Sequence, residues 1–525
     1  ISLFGDEIDA GLQAYSILTT GKDYKGNFLP VIFSSFAEHR LPMQIYMSVF
    51  SIKLFGLNAL GVRGAALFMG FLSLAGVYYL VRELFGKRIS TITGILFLFS
   101  PWHVIFSRQA NDAGFVLPFI LFGTYFYIKG LKKYNYLLLS AFIFALGIYS
   151  YAVFSLFAPL FIITLIIIYF KSLKKYPLKK ILFAGLIFFI TVFPYFKETL
   201  KGSTTERISY IRLISPQEIE TEVVEGRRWQ GGFWGKVFYN KYTVTGKELF
   251  KNYTQAFSSA FLFAQGDSNP RHNIGNFGQM YPFEIISVIL GIYCLVCGFK
   301  SKNVKAFLVF IFWLVFAPIP SILTKGGGTH AARLILMLPP LIFLSGLGID
   351  FLLNIKKKVI RIFVLSVLLI FAAFNIANFF YRYFIVWPNE SWRFWHYGFG
   401  KVISYVKSVD DQYEKIYFNN TYEPMLPRFL FYYAYDMNDF HKQFNGDIHI
   451  ENLEEGFDGF SLAGKYYFGD LKKPVEKLVK PGNLIVASGE KDITNPGIFE
   501  NSNLMLLDVV TSPYMDSIFY VFSGS

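Results

Sequence analysis

Charged residues are scarce in this chain of 525 residues, because Asp, Glu, Lys and Arg make up 16% of it. A typical soluble domain has about 25%. This shortage excludes a disordered chain and an ordinary soluble enzyme. Cysteine is nearly absent, with two residues, which excludes a scaffold built on disulfides. Apolar sequence is abundant instead, since 54% of the residues are hydrophobic and 61 are phenylalanine.

The apolar residues cluster in runs of about 20 residues, the length that an α-helix needs to cross a bilayer. Ten such runs are visible, and the pattern predicts a polytopic α-helical membrane protein. The predicted spans lie at about 61–81, 89–107, 112–129, 135–152, 153–170, 180–196, 282–299, 305–323, 332–353 and 359–380.

The net charge of +14 indicates membrane topology and gives no support for nucleic-acid binding. Lys and Arg gather in five short clusters at every second inter-helix loop, as the positive-inside rule requires of cytoplasmic turns. These clusters lie at 82–88, 129–133, 171–180, 300–305 and 356–361. We therefore expect an integral plasma-membrane protein in which residues 1–60, the loop 197–281 and everything after about 381 are external.

The sequence predicts three parts. Residues 1–60 form an external segment with a helix at 7–20 and an interfacial helix at 42–55, because the second apolar run is too short to span. Residues 61–384 form the transmembrane domain. Because the chain starts at Ile1 in an external segment, we expect that a transmembrane helix precedes it or that a targeting sequence was removed. The first option fits better, because it places the N-terminus inside the cell.

The third part, residues 385–525, is predicted to be a small external α/β domain. Charged residues, Asn and Gly return in this region, and short strand-like runs appear between helical stretches near 393–408 and 424–435. The runs are Lys415–Asn419, Asn483–Ser488, Met505–Val510 and Ser517–Phe522.

Ionisable side chains crowd the ends of the spans on the predicted external side. Such residues are costly at a membrane edge and are functional candidates by default. Carboxylates can remove a proton, whereas arginines can hold phosphate. The candidates are Asp6, Glu7, Glu38, His39, Arg40, Arg108, Asp112, Arg271, His272, His330 and Arg333.

Each candidate also has a purely structural interpretation. Asp6 and Glu7 can stabilise a helix N-terminus, and Arg40 and Arg63 can extend to lipid headgroups. Arg108 and Asp112 are four residues apart and can form a helix-end ion pair. The histidines can be hydrogen-bonded structural residues. Their joint occurrence on one side of the membrane, beside three loops, favours a functional site.

A series of motifs carries a family resemblance. They are Phe4-Gly5-Asp6-Glu7, Glu38-His39-Arg40-Leu41-Pro42-Met43, Leu54-Phe55-Gly56-Leu57-Asn58, Val62-Arg63, Leu84-Phe85-Gly86-Lys87-Arg88, Ser100-Pro101, Ser107-Arg108-Gln109-Ala110-Asn111-Asp112 and, more faintly, His330-Ala331-Ala332-Arg333. In this order the chain resembles GT-C glycosyltransferases that use polyprenyl-phosphate sugars. These enzymes are related to protein O-mannosyltransferases and lipid A aminoarabinose transferases.

The resemblance implies residue roles. Asp6 is expected to be the catalytic base with Glu7 beside it, and Asp112 matches the second acidic position of the family. Arg40 stands where the family often has a lysine before two prolines, and only the second proline is kept, as Pro42. The residues expected to bind substrate are Glu38, His39, Arg40, Arg108, Arg271, His272, His330 and Arg333.

The resemblance also implies the reaction partners. The donor is expected to be a sugar on an undecaprenyl- or dolichyl-type phosphate that enters from the membrane lipid. The acceptor is a hydroxyl on a glycan, a lipid or a protein. The metal requirement stays open: a divalent ion fits Asp6 and Glu7, but two adjacent acids do not define a coordination shell.

Two other functions remain as alternatives. A transporter or flippase of lipid-linked saccharides would use similar charged residues. Transporters usually place their site near the bilayer midplane on broken helices, however, whereas the charges of this chain lie at the predicted external edges. A structural or receptor role, with the external domain as the binding part, is the third interpretation.

Overall fold

The computed structural model describes residues 1–35, 39–201, 216–298, 303–444, 449–478, 480–489, 491–493 and 504–524. The chain forms two compact units. Unit 1 comprises Ile1–Ser34, Ile45–Ala65 and Ile385–Ser525, and unit 2 comprises Ser35–Gln44 and Ala66–Phe384. Glu38, Lys300 and Lys302, which were singled out above, lie outside the described residues.

Apolar helices form at all ten predicted spans. Within the described ranges, six segments are long and apolar enough to cross a membrane alone: Ala59–Phe85, Asp112–Gly130, Leu178–Leu200, Val304–Ile322, Ile335–Leu353 and Lys358–Glu390. The other predicted spans are the shorter helices Asn135–Ile148, Ala152–Ile168 and Glu284–Gly298 and a bent pair, Lys87–Phe99 with Pro101–Arg108. The chain is a multi-pass membrane protein, and the predicted helical fold class is confirmed.

The bent pair has a local cause. Its two helices meet at an angle of 58°. Pro101 begins the second helix, and a proline has no backbone N–H to continue the hydrogen-bond ladder of the first. The bend falls between Phe99 and Pro101, so the span is broken seven residues before Arg108.

The long segment between the sixth and seventh predicted spans contains helices that the hydrophobic pattern did not indicate. They are Pro216–Trp229, Gly232–Phe238, Lys241–Ala256 and a π-helical turn at Ala260–Ala264. Asn240 caps the third helix, since its side-chain oxygen accepts hydrogen bonds from the backbone N–H groups of Tyr242 and Thr243. Pro216–Trp229 and Lys241–Ala256 are polar on average, and the other two are too short to form a long apolar run, so apolar runs could not reveal them.

Unit 1 contains the helices of the first segment and the C-terminal domain. Gly5–Thr20 and Pro42–Phe55, the latter from Ile45 onward, correspond to the two predicted helices. Further along the chain come Phe399–Val409, Met425–Tyr433 and Met437–Gln443. The first of these begins six residues later than predicted.

A seven-stranded sheet forms the centre of the C-terminal domain. Two short strands precede it in the chain, β1 (Phe33–Ser34) and β2 (His39–Arg40). The sheet strands are β3 (Lys415–Asn419), β4 (Glu451–Glu454), β5 (Phe457–Leu462), β6 (Tyr466–Leu471), β7 (Asn483–Ser488), β8 (Leu504–Thr511) and β9 (Ser517–Gly524). Their order is β4-β5-β6-β3-β7-β9-β8, with β3 parallel to both neighbours and every other pair antiparallel. The predicted α/β domain is therefore present, with three strands, β4 to β6, that the sequence pattern missed.

One close helix packing in unit 2 depends on two glycines. Gly291 lies on Glu284–Gly298 and Gly348 lies on Leu338–Leu353. A Cβ atom at Gly291 would overlap the carbonyl oxygen of Leu344, and one at Gly348 would overlap that of Ser287. Small residues let membrane helices approach in this way, and the Ser287 and Ser345 hydroxyls add a hydrogen bond of 2.7 Å across the same contact.

Replacing a glycine by alanine should therefore change the stability differently at packed and at open positions. Gly291→Ala and Gly348→Ala should each destabilise the protein by about 1–3 kcal/mol, because the helices must move apart. Gly185→Ala is the matched control, since open space surrounds that position on Leu178–Leu200. It should be neutral or stabilising by up to about 1 kcal/mol. Thermal unfolding of the three purified variants checks this, and equal melting temperatures would contradict it.

Candidate active site

The first candidate residues lie at the start of helix Gly5–Thr20, in unit 1. Glu7 is almost fully buried, with 3% of its surface exposed. Its Oε1 accepts a hydrogen bond from Arg63 Nε at 2.8 Å and its Oε2 accepts one from Arg63 Nη2 at 2.6 Å. Oε2 also accepts the backbone N–H of Phe4 at 3.1 Å. The Glu7 carboxylate thus forms a bidentate ion pair and holds the first turn of its helix.

Arg63 connects this helix to the N-terminal backbone of unit 1. Its guanidinium also donates to the carbonyl oxygens of Ile1 and Ser2, at 3.1 and 2.7 Å. The same group lies over the Trp395 ring, 5.6 Å from its centre. The sequence allowed Arg63 to extend to lipid headgroups. In the structure its guanidinium instead contacts groups of unit 1.

A second buried arginine lies beside the candidate base. Arg428 Nη2 would lie 3.2 Å from a Cβ atom at Gly5, so its guanidinium packs against the backbone immediately before Asp6. It contacts His396 Nδ1 at 2.7 Å and forms an ion pair with Glu423 at 3.4 Å. Burial lowers the pKa of Arg428, while the negative charges of Glu423 and Asp6 act in the opposite direction.

The remaining described candidates lie in unit 2, on three segments that contact one another. Gln109, between Arg108 and Asp112, donates its side-chain amide to the carbonyl oxygen of Arg271 at 2.5 Å. Trp102 Nε1 donates to the carbonyl oxygen of Ala331, between His330 and Arg333, at 3.1 Å. These two bonds hold the segments around 102–112, 267–273 and 330–333 together.

Arg40 lies on a segment that joins the same region of unit 2. It is buried, with 8% of its surface exposed. Four residues later, Gln44 donates its side-chain amide to the carbonyl oxygen of Ala110 at 2.5 Å. Asn111 then caps the short helix that begins at Asp112, by accepting the N–H of Ala113 at 2.9 Å. Arg40 and Asp112 are thus carried by adjoining backbone segments.

The two other arginines of unit 2 have defined polar contacts. Arg333 Nη1 donates to the Thr324 hydroxyl at 2.7 Å and to the Lys325 carbonyl oxygen at 3.3 Å. Arg271 donates its backbone N–H and its Nε to Asn269 Oδ1 at 3.0 and 3.4 Å. Both therefore also help to shape the turns on which they lie.

Asp267, His272 and His330 form a compact cluster of potential metal ligands. One ligand atom from each side chain lies within 4.8 Å of the other two. Burial raises the pKa of Asp267, but the hydrogen bond from His272 and its charge outweigh burial and leave the pKa below its usual value. Burial, and then the positive charge of Arg333, lower the pKa of His330 to about 3. At neutral pH the cluster therefore offers a carboxylate and a neutral imidazole.

The structure brings together the predicted site residues of unit 2, whereas the remaining described candidates belong to unit 1. Unit 2 gathers Arg108, Asp112, Arg271, His272, His330 and Arg333 on contacting segments, with Arg40 nearby and His39 beside it in β2. Asp6 and Glu7 belong to unit 1. Sequence reasoning missed Asp267, Arg428 and His396. The spacing Asp267-x4-His272 was a signal for the first, whereas nothing local pointed to the other two.

A substitution at Glu7 tests whether its ion pair with Arg63 stabilises the protein. Glu7→Gln leaves the charge of Arg63 without its carboxylate in a largely buried setting, so it should destabilise the protein by about 3–5 kcal/mol. Glu414→Gln, at an exposed position of the same unit, is the control and should leave stability unchanged. Melting temperatures measure both. A Glu7→Gln protein as stable as the control would contradict the structural role of the pair.

Comparison with protein families identifies one match. Residues 39–196, less than a third of the chain, match the family described as dolichyl-phosphate-mannose-protein mannosyltransferase. The matched region includes Arg40, Arg108 and Asp112 and begins after Asp6. None of the curated proteins matches the chain in sequence.

Comparison with solved structures finds two of similar fold. ArnT from Cupriavidus metallidurans, bound to undecaprenyl phosphate, has a TM-score of 0.49 and 12% identity, and the match covers 99% of this chain and 94% of that one. The oligosaccharyltransferase AglB from Archaeoglobus fulgidus, in complex with an inhibitory peptide and a dolichol-phosphate, has a TM-score of 0.46 and 11% identity. That match covers 78% of this chain and 54% of AglB.

The family match supports the sequence-based expectation directly. It falls on the region in which most of the motifs occur, from His39 to Asp112. It confirms the predicted resemblance to GT-C enzymes that use polyprenyl-phosphate sugars. It also confirms the predicted class of activity, a membrane glycosyltransferase with a lipid-linked donor.

Proposed function

We propose that this protein transfers a hexosyl or pentosyl group from a polyprenyl phosphate to an acceptor hydroxyl on the external face of the plasma membrane. The family match over Arg40, Arg108 and Asp112 is the observation that supports the proposal most strongly. The arginine-rich segments of unit 2 agree with it, because guanidinium groups bind phosphate oxygens through paired, charge-assisted hydrogen bonds.

In this proposal the reaction is a single displacement at the anomeric carbon. The Asp6 carboxylate takes the proton of the acceptor hydroxyl, whose oxygen then forms a bond to the anomeric carbon. The bond between that carbon and the phosphate oxygen breaks, and its electron pair leaves with the polyprenyl phosphate. Attack opposite the leaving group inverts the configuration of the sugar.

Asp6 is better suited than Glu7 to act as the base. Both oxygens of Glu7 are engaged by Arg63 and one of them also caps the helix, so proton uptake there would disrupt the ion pair. Asp6 precedes this anchor in the same helical turn and is only partly buried. Glu7 and Arg63 would therefore position Asp6, and the guanidinium of Arg428 packs against the backbone immediately before it.

Arg40 is the proposed ligand for the leaving phosphate, with Arg271 or Arg333 as a second contact. Arg40 is largely buried, which favours a role inside the protein over that of a headgroup anchor. Stabilising the negative charge that develops on the phosphate lowers the barrier to bond cleavage. Asp112 would act as the second acidic residue, and the residues 385–525 would form an external domain.

The role of Asp6 predicts a large kinetic effect. Asp6→Asn should lower turnover about 10²–10⁴-fold, the usual contribution of a general base, because the amide cannot accept the proton. Asp411→Asn, an exposed site on unit 1, is the control and should keep full turnover. Sugar transfer from a synthetic polyprenyl-phosphate sugar by both purified variants is the measurement. Normal turnover in Asp6→Asn would reject Asp6 and favour Asp112.

The role of Arg40 predicts a graded effect on the donor. Arg40→Gln should raise the KM for the lipid donor and lower kcat, since a glutamine offers one weak donor group in place of a charged fork. Arg40→Lys should recover part of both, because it keeps the charge. Rates measured against donor concentration distinguish the variants. Unchanged kinetics in Arg40→Gln would move the phosphate role to Arg271 or Arg333.

A further inference from the structure

Unit 2 contains a cluster of three side chains whose types are common ligands of transition metals: Asp267, His272 and His330. Asp267 and His272 are each about 5% exposed, and His272 Nδ1 lies 3.0 Å from Asp267 Oδ2. The His272 and His330 ring centres are 5.1 Å apart. The Nδ1 atom of His330 is buried and has no hydrogen-bond partner in the part of the chain that the structure describes. Such an atom needs a partner, because burying an unsatisfied polar group is costly.

The surrounding hydrogen bonds hold the three side chains in place. Asp267 Oδ1 accepts the backbone N–H of Asn269 at 2.9 Å, and Oδ2 accepts that of Ala331 at 2.8 Å. The carbonyl oxygen of Asp267 accepts the side-chain amide of Asn273 at 2.8 Å. The His272 ring also packs on Phe106, with 5.5 Å between ring centres. An orienting shell of this kind is typical of metal sites, where it fixes the direction of each ligand.

We propose that Asp267, His272 and His330 bind a zinc ion. Two imidazoles and one carboxylate are a ligand set that zinc accepts, with the fourth tetrahedral position left for water. Zinc bonds of about 2.0–2.2 Å place tetrahedral ligand atoms about 3.3–3.6 Å apart. The present upper limit of 4.8 Å therefore requires only small rotations of the side chains.

A cavity next to the cluster gives the ion a route of entry. It has a volume of about 400 Å³, and Asp267 and Thr329 are among its lining residues. Asp267 therefore borders the cavity directly, and Thr329 directly precedes His330 in the chain. Access of this kind is one of the requirements for a metal site, together with ligand number and a satisfied shell.

The ion would link two segments that are far apart in the sequence. Asp267 and His272 follow the π-helical turn Ala260–Ala264, whereas His330 precedes the helical segment Ile335–Leu353. Arg271 and Arg333 are near these ligands in the sequence, so the metal would fix the backbone positions of both arginines relative to each other. The inference depends only on the cluster and does not require the proposed glycosyl transfer.

Metal content and melting temperature test the proposal without an activity assay. The full-length protein, purified in detergent without chelators, should retain one zinc equivalent per chain by mass spectrometry. After treatment with a chelator, added Zn²⁺ should raise the melting temperature of the wild-type protein. His330→Ala and Asp267→Asn should bind Zn²⁺ at least about 100-fold more weakly, since substitutions in the outer shell alone cost about 10–100-fold.

His449→Ala is the matched control, because this histidine is exposed and lies in unit 1, outside the cluster. It should retain one zinc equivalent and respond to Zn²⁺ as the wild type does. The proposal is overturned if His330→Ala binds zinc as tightly as this control. It is also overturned if the stripped wild-type protein melts at the same temperature with and without Zn²⁺, a result that does not depend on any variant folding.

Discussion

The ion pair between Glu7 and Arg63 is the interaction on which the proposed active site of unit 1 depends. Its two hydrogen bonds join the first turn of helix Gly5–Thr20 to the start of helix Ala59–Phe85. Removing either partner would leave a charge largely buried, so both must be kept together. The pair fixes the backbone of the turn that carries Asp6, and it thereby limits the positions that the Asp6 carboxylate can reach.

Unit 2 uses neutral hydrogen bonds for the same purpose. Gln109 holds the backbone of Arg271, Trp102 holds that of Ala331, and Gln44 holds that of Ala110. The bonds to Ala331 and Ala110 satisfy buried backbone carbonyls, and all three bonds hold segments that carry charged residues. The guanidinium groups of Arg271 and Arg333 make polar contacts of their own. Neutral hydrogen bonds therefore fix the backbone on which these charged residues lie.

Much of the membrane fold could be predicted from sequence because apolar runs of fixed length report directly on membrane-crossing helices. Strands β4 to β6 were missed, since residues 451–471 contain several Asp, Glu and Gly residues and little regular alternation of apolar and polar positions. The helices between residues 216 and 256 were missed for a similar reason: they are too polar to stand out in a search for apolar runs.

The candidate site was predictable to the extent that its residues occur in local motifs. Asp6, Arg40 and Asp112 are each marked by their neighbours in the sequence. Arg428 and His396 were not, because their relation to the Asp6 region arises only when residues about 390 and 420 positions further along the chain fold into unit 1. Asp267 was overlooked because its partner His330 lies on a different segment.

Transfer from a lipid-phosphate sugar is the central claim, and one measurement tests it most directly. The purified protein would be incubated with a panel of radiolabelled polyprenyl-phosphate hexoses and pentoses, mannose among them, and with a membrane extract as the source of acceptors. The account predicts that label leaves the lipid in proportion to the polyprenyl phosphate released, and that labelled nucleotide sugars do not replace the donor. Labelled donor that remains intact, or that crosses a reconstituted bilayer unchanged, would contradict glycosyl transfer, and the second result would indicate a flippase.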